Sequence, residues 1–449
     1  MTDVSLTQRR SRSPRLAIPL LDAMQLNAAV LPLMGILLFF FSTLIRPARL
    51  GEEYSLPGTF LIAGLSIVYT LYFQRTAISI SRLMLAAAMS FYWLYLTAYS
   101  MVAGNADGSP VKSLILISVT AFASTVLTSN ASINNALVKS AIYASATLSL
   151  SSIVTMMLLY SGTSFDQLHI FDIRISGSNG DFYAQFGQVL FPFTICYDRV
   201  GIWGSDVPRI AHWFREVGIT QAFFAWAALA AFFSNIRYRK CVTFLILLGT
   251  LLTLSTVAPF SVAFCLIAMI LASGSGDLGK KFLLLLVITA VVGLVVYLLF
   301  LTVSDSYLGL GQKLASASFS DRQRGVQDGI AFLMAHPFGA GFYNGSSAIN
   351  LVAALGELGL PGALGFFGVV SYAICAFPRP LARAAMLTPI LITMLVSEPL
   401  LDAGYFYLLL FCTLPTPLQK PSRQLDPGYE PIQKGFRNNR VEQTPFAQQ

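Results

Sequence analysis

The sequence predicts an all-α membrane protein that crosses the bilayer about twelve times and carries two large loops on its outer side. Three observations point there. Of 449 residues, 55% are hydrophobic and only 11% charged, where soluble domains average roughly a quarter charged. Apolar runs of about 20 residues, long enough for the hydrocarbon core, recur along nearly the whole chain. The Lys and Arg of the short connections also concentrate on alternate loops, as the positive-inside bias requires. A β-barrel would instead show short alternating segments.

The chain opens on the basic, polar stretch MTDVSLTQRRSRSPR. No small-residue cleavage site follows, so residues 1–26 read as a tail and the first span as retained rather than a signal peptide. The membrane domain then covers 27–418. Its spans are expected at 27–45, 57–73, 83–103, 112–129, 139–160, 217–234, 241–256, 258–273, 281–303, 361–377, 384–398 and 404–418. On this count one side receives the N-terminus, the 74–82 loop with Arg75 and Arg82, Lys139, NIRYRK (235–240), GKK (279–281) and PRPLAR (378–383). That side is cytoplasmic and holds both termini. Arg46 and Arg49 are the exceptions and fall outside. Residues 419–449, rich in Pro, Gln, Asn and Arg, read as a disordered cytoplasmic tail.

The net charge of +8 follows from the loop bias and carries no nucleic-acid inference. Cys241, Cys265, Cys375 and Cys412 fall in apolar spans and Cys196 in a loop, so neither a disulfide framework nor a metal-ligand spacing exists. No internal repeat, Walker loop, HExxH, GxSxG or loop DxD occurs, and no metal or cofactor is expected.

Two connections are long, 161–216 and 304–345, and both face outward. Long ordered loops usually carry function. GQVLFPFTI (187–195) in the first is apolar enough to lie on the membrane as a shallow helix. In the second, Ser320 is expected to cap a short helix that Pro337 ends, with Gly339 and Gly341 turning the chain back and His336 in the turn. Residues 346–360, with Asn350 and Glu357, are too short to span beside their neighbour and read as re-entrant or packed at the outer face.

Outward loops should be poor in cations, yet these contain Arg174, Arg199, Arg209, Arg215, Lys313, Arg322 and Arg324. The planar guanidinium suits a diphosphate because it offers paired hydrogen bonds and keeps its charge. The competing reading is ordinary ion pairing with nearby acids, among them Asp172, Asp198, Glu216, Asp321 and Asp328. Glu216 opens the sixth span, where it serves either as a helix cap or as a base. His212 is one helical turn earlier if the helix extends outward, or else forms an interfacial pair with Trp213.

These segments resemble a known group. PRIAHWFREVGITQAFF is similar to the Arg–aromatic–Phe-x-Glu-x-Gly segment of bacterial exopolysaccharide and O-antigen polymerases. SDRQRGVQDGIAFLMAHPFGAGF resembles their Ser-x-x-Arg segment followed by His-Pro-x-Gly-x-Gly, and NLVAALGELGLPGALGFF their Glu-x-Gly-x-x-Gly stretch. The likeness runs over roughly residues 170–375. Membership of this O-antigen polymerase and ligase superfamily implies a GT-C-like, metal-independent glycosyltransferase of the bacterial inner membrane. It would join polyprenyl-diphosphate-linked oligosaccharides at the periplasmic face, beside a chain-length regulator and export machinery. The resemblance assigns the diphosphate to Arg209, Arg215, Arg322 and Arg324. Glu216 is then the first candidate for the base and His212 the second, with Arg199, Asp321, His336, Asn350 and Glu357 as further candidates. Two departures stand out. Glu216-Val217-Gly218 replaces the polymerases' Glu-Pro-Gly, and Ile349-Asn350 stands where the ligases carry a His. The missing His argues against a ligase, which stays the nearer alternative on the resemblance alone; a lipid-linked sugar flippase or transporter is the more distant one, since the apolar spans hold almost no charge at mid-depth.

Overall fold

The computed structural model describes residues 18–73, 78–104, 109–175, 185–202, 205–272, 317–342, 350–397 and 399–415. The expected span at 281–303, Lys313 and the 419–449 tail lie outside them. The described chain is mostly helical. In order it forms α1 (Ile18–Ser42), α2 (Gly51–Tyr72), α3 (Ile80–Val102), α4 (Ser109–Ser129), α5 (Ala131–Tyr160) and the single turn α6 (Phe165–Leu168). Four strands follow, β1 (His169–Ile175), β2 (Gln185–Leu190), β3 (Thr194–Ile202) and β4 (Ser205–Ile210). The chain continues with α7 (Val217–Phe233), α8 (Arg239–Leu252) and α9 (Ala258–Ala272). It closes with α10 (Ala317–Ala335), α11 (Leu351–Cys375), α12 (Pro380–Val396) and α13 (Gly404–Phe411).

Among the described residues, five helices are long and apolar enough to cross a membrane: Glu53–Tyr72, Ile80–Val102, Ser109–Ser129, Ala131–Tyr160 and Leu351–Cys375. Shorter apolar helices, Ala29–Ser42, Val217–Phe233, Ala258–Ala272 and Pro380–Val396, pack with them. The centre is α7, whose residues from Val217 to Ala231 are all buried. A helix that is apolar all round has no face for water and belongs inside. Trp93 of α3 donates to the Tyr407 hydroxyl of α13 at 3.1 Å, which satisfies both polar tips in an otherwise apolar core. In α5 the buried Ser149 hydroxyl donates to the Ser145 carbonyl four residues back at 2.8 Å, so it needs no water.

The first long loop differs from the expected shallow helix. The described residues between 169 and 210 form an antiparallel sheet in the order β1-β2-β3-β4. GQVLFPFTI contributes β2, a turn at 191–193 and the start of β3. Its β-branched and aromatic residues suit a pleat, and Pro192 sits in the turn where no ladder N–H is required.

The second loop ends as expected. Past α10 the chain turns through Pro337, and Gly339 and Gly341 take φ of 88° and 93°. The helix itself starts before Ser320, which lies inside it rather than at its cap. Residues 351–358 form a half-helix joined to the rest of α11 through a break at Gly359, with φ 65° and ψ 178°. A Cβ at Gly359 would lie 2.2 Å from the Phe338 carbonyl carbon. Gly359→Ala is therefore expected to lose about 1–3 kcal/mol, from strained backbone plus that clash. Gly368→Ala, which meets nothing within 4 Å, is the matched control for thermal unfolding in detergent.

At one end of the bundle two buried arginines hold the last helix. Arg383 donates to the carbonyls of Ala373 (3.0 Å), Leu410 (2.7 Å) and Cys412. Arg82 donates to the Thr128 and Thr413 hydroxyls, and both guanidinium groups lie over the Phe377 ring. Positive charge at a helix C-terminus is favourable. The opposite end is built differently.

Candidate functional site

Three connections meet at that opposite end: 43–50 between α1 and α2, 211–216 before α7, and 399–403 before α13. Their backbones pair. The Arg49 N–H donates to the Trp213 carbonyl at 2.7 Å, the Arg215 N–H to Pro47 at 3.2 Å, and the Tyr405 N–H to Arg46 at 3.1 Å. Ala48 and Phe214 form an isolated antiparallel bridge. The Phe214 ring stacks on Phe223 at 4.6 Å and leans on Tyr405 at 6.0 Å, which anchors the junction in the core.

The junction is deep. A Cβ on Gly404 would lie 2.6 Å from Ile45 Cγ2 and 3.8 Å from Thr120 Oγ1. At 1.5 Å per residue, Thr120 is about 16 Å along α4 from its first residue, close to half its length. Short α13 starts at that level rather than at the end of the bundle. The three connections therefore dip inward.

They bring charge with them. Arg46 Nη1 contacts Asp402 Oδ2, with the side chains 33% and 24% exposed. Arg215 Nη2 lies 3.7 Å from Glu216 Oε1, at 27% and 30% exposure. Arg49 is buried; its Nε donates to the Phe214 carbonyl at 3.0 Å. Its guanidinium rests on β2 where Gly187 leaves room, since a Cβ there would lie 1.7 Å from Arg49 Nη1. Arg209, half-buried on β4, pairs through its backbone with Asp198 of β3. Among the described side chains, Arg46, Arg49 and Arg215 thus meet the carboxylates of Asp402 and Glu216 at this junction.

His212 does not lie on a helix with Glu216. It takes φ of 49°, and α7 begins only at Val217, with Glu216 extended at the N-cap position and making no side-chain cap bond. The expected one-turn spacing is absent because the chain must bend here to pair with 47–49. His212 is fully buried, stacked on Phe224 at 5.5 Å, with Nε2 2.8 Å from Ser152 Oγ. Burial, and secondarily the Arg49 charge, pushes its pKa down from 6.5 to about 3. A group depressed in this way contributes stability above pH 6.5 that fades as pH falls toward about 3, because the unfolded chain binds the proton first. Unfolding measured in detergent between pH 7 and pH 5 is expected to show a stability loss with a slope of at most about 1.4 kcal/mol per pH unit. His212→Gln is expected to remove that slope.

The other predicted site residues lie on other elements. Arg324 is on an exposed face of α10, whose packing partner is α11. There a Cβ on Gly329 would meet the Ala353 carbonyl at 2.6 Å. His336 is exposed in the turn, with its ring 4.8 Å from Phe332. Asn350 caps α11 by accepting from the Ala353 N–H at 2.9 Å, a structural role. Glu357 is buried, and its carbonyl accepts from Ala340 and Gly341. Asp321, Arg322 and Arg199 lie on described backbone, in α10 and β3, but their side chains are outside the described residues.

Arg46, Arg49 and Asp402 were not among the expected site residues. The signal for the first two was in plain view: they are the arginines that break the positive-inside pattern. Among the described residues no group of three His, Cys, Asp or Glu side chains could hold a metal ion. Comparison with protein-family models and with curated proteins finds no match to the chain.

Proposed function

We propose that this protein is a glycosyltransferase that polymerises polyprenyl-diphosphate-linked oligosaccharide repeat units at the outer face of a bacterial inner membrane. The observation that carries the reading is the convergence of Arg46, Arg49 and Arg215 with Asp402 and Glu216 on three inward-dipping connections. Arginine clusters of this kind suit a diphosphate, and the depth suits a lipid-linked one. We take the membrane domain to be GT-C-like, with about twelve crossings. The arginine-rich connections at the other end then face the cytoplasm.

In this reading the arginines hold the donor's diphosphate. A hydroxyl of the acceptor glycan attacks the anomeric carbon, the bond from that carbon to the phosphate oxygen breaks, and polyprenyl diphosphate leaves. Negative charge grows on the departing oxygen, and fixed guanidinium groups stabilise it. The acceptor proton passes to the Glu216 carboxylate, a half-exposed group at the same junction. His212, neutral and sealed beneath, supports the 211–216 turn.

A lipid-linked sugar transporter is the second reading, favoured by ionisable groups at mid-depth and by the broken helix α11. Deleting the gene and separating the surface glycan by size distinguishes the two. Single repeat units at the surface without long chains are expected of a lost polymerase. Repeat units trapped inside the cell would overturn that reading and favour transport.

A further inference from the structure

The turn between β2 and β3 is Phe191-Pro192-Phe193, and its aromatic rings are 52% and 70% exposed. No charged residue occurs between Phe186 and Ile195. Beside it α5 exposes Leu150, Met157 and Tyr160. In water such a turn would need no help with its backbone. Here each backbone donor in it has a partner within the protein. The Phe191 N–H donates to the Leu168 carbonyl at 2.7 Å, Pro192 has none, and the Phe193 N–H donates to Ser151 Oγ at 3.1 Å. The Phe191 carbonyl accepts from Thr155 Oγ1 at 2.7 Å, and Thr194 Oγ1 bonds both Ser151 and Thr155. Both N–H donors of the turn and its Phe191 carbonyl are thus paired within the protein, as hydrocarbon demands of irregular backbone.

Depth agrees. Asn134 of α5 bonds Thr413 at the Arg82 and Arg383 end of the bundle. Ser151 lies about 25 Å along α5 from Asn134 and Thr155 about 31 Å, against a hydrocarbon core of roughly 30 Å. The turn therefore sits at the edge of the opposite leaflet's acyl region. We infer that Phe191-Pro192-Phe193 is a lipid-inserted hairpin tip that anchors the four-stranded sheet in the bilayer, its partner being the acyl chains of the outer leaflet. The anchor fixes the height of β2, on which Arg49 rests, and of β4, which leads into the 211–216 turn. This inference stands independently of the reaction proposed above.

The test is nitroxide accessibility on the full-length protein in phosphatidylcholine–phosphatidylglycerol vesicles. The two exposed cysteines, Cys241 and Cys375, are replaced by Ser. Labels are then placed singly through Phe193→Cys, Phe191→Cys, Met157→Cys and Gln167→Cys. Both Phe rings are largely exposed, so neither change empties the core. Labels at 193, 191 and 157 are expected to collide more with oxygen than with a water-soluble nickel chelate, and the label at 167 to show the reverse. If the nickel chelate dominates at 193 and 191, the tip faces water and the proposal fails. If both quenchers are excluded there, the tip is covered by protein, such as a second copy of the chain, and the proposal also fails.

Discussion

Replacing Arg46 by alanine is expected to lower polymer formation about 10²- to 10³-fold, the range seen when one preorganised donor to a developing negative charge is removed. Arg46 is half-exposed at the junction, its backbone fixed by Tyr405 and its guanidinium aimed by Asp402. It can thus reach a ligand without first breaking out of a core. Arg46→Lys is expected to recover only part of the loss, since a single ammonium cannot offer two parallel hydrogen bonds. Initial rates of chain elongation in membranes, normalised to protein level, report the effect. Full activity in Arg46→Ala would make the Arg46–Asp402 pair a structural tie and remove it from the diphosphate site.

The second large effect is on stability. Arg383→Ala is expected to destabilise the protein by about 3 kcal/mol or more. The change deletes charged hydrogen bonds worth about 1.5–3 kcal/mol each and strands buried carbonyls. The three acceptors are the carbonyls of Ala373, Leu410 and Cys412, so the end of α13 loses its clamp. Arg383→Lys should rescue little, because its ammonium lacks the fork that reaches them together. Thermal unfolding in detergent reads this directly. An unchanged midpoint in Arg383→Ala would show that α13 is held by its apolar contacts alone.

Much of the membrane domain was readable in the sequence because lipid imposes one rule. A run such as Ser109–Ser129 or Leu351–Cys375 must pair its backbone internally, and its composition advertises that. The turn at Pro337 and the paired glycines 339 and 341 were readable for the same local reason. The sheet was not. FDIRI within HIFDIRI alternates apolar and polar residues, a strand signature, but the apolar density of GQVLFPFTI favoured a surface helix. Each strand also finds its partner in a neighbouring segment, and pairing is not written in any one segment.

The candidate site was partly readable. Arg209, Arg215 and Glu216 stand out as charges ahead of an apolar helix, and they do lie at or beside the junction. Arg46 and Asp402 were missed because they meet across 356 positions of sequence. Nothing local in TLIRPARL says that its arginines turn inward rather than toward solvent. Of the two readings of His212, the helix extended outward is the one that fails: the 47–49 pairing forces a bend there, and that bend buries the imidazole.

The most direct measurement is a reconstitution. Purified protein in proteoliposomes would receive a polyprenyl-diphosphate-linked repeat unit, with chain length and released polyprenyl diphosphate followed together. The expected result is a ladder of longer lipid-linked chains, with one polyprenyl diphosphate released per linkage formed and both lost in Arg46→Ala. Movement of the intact substrate across the bilayer, with no new linkage and no diphosphate release, would contradict a polymerase and make the protein a transporter.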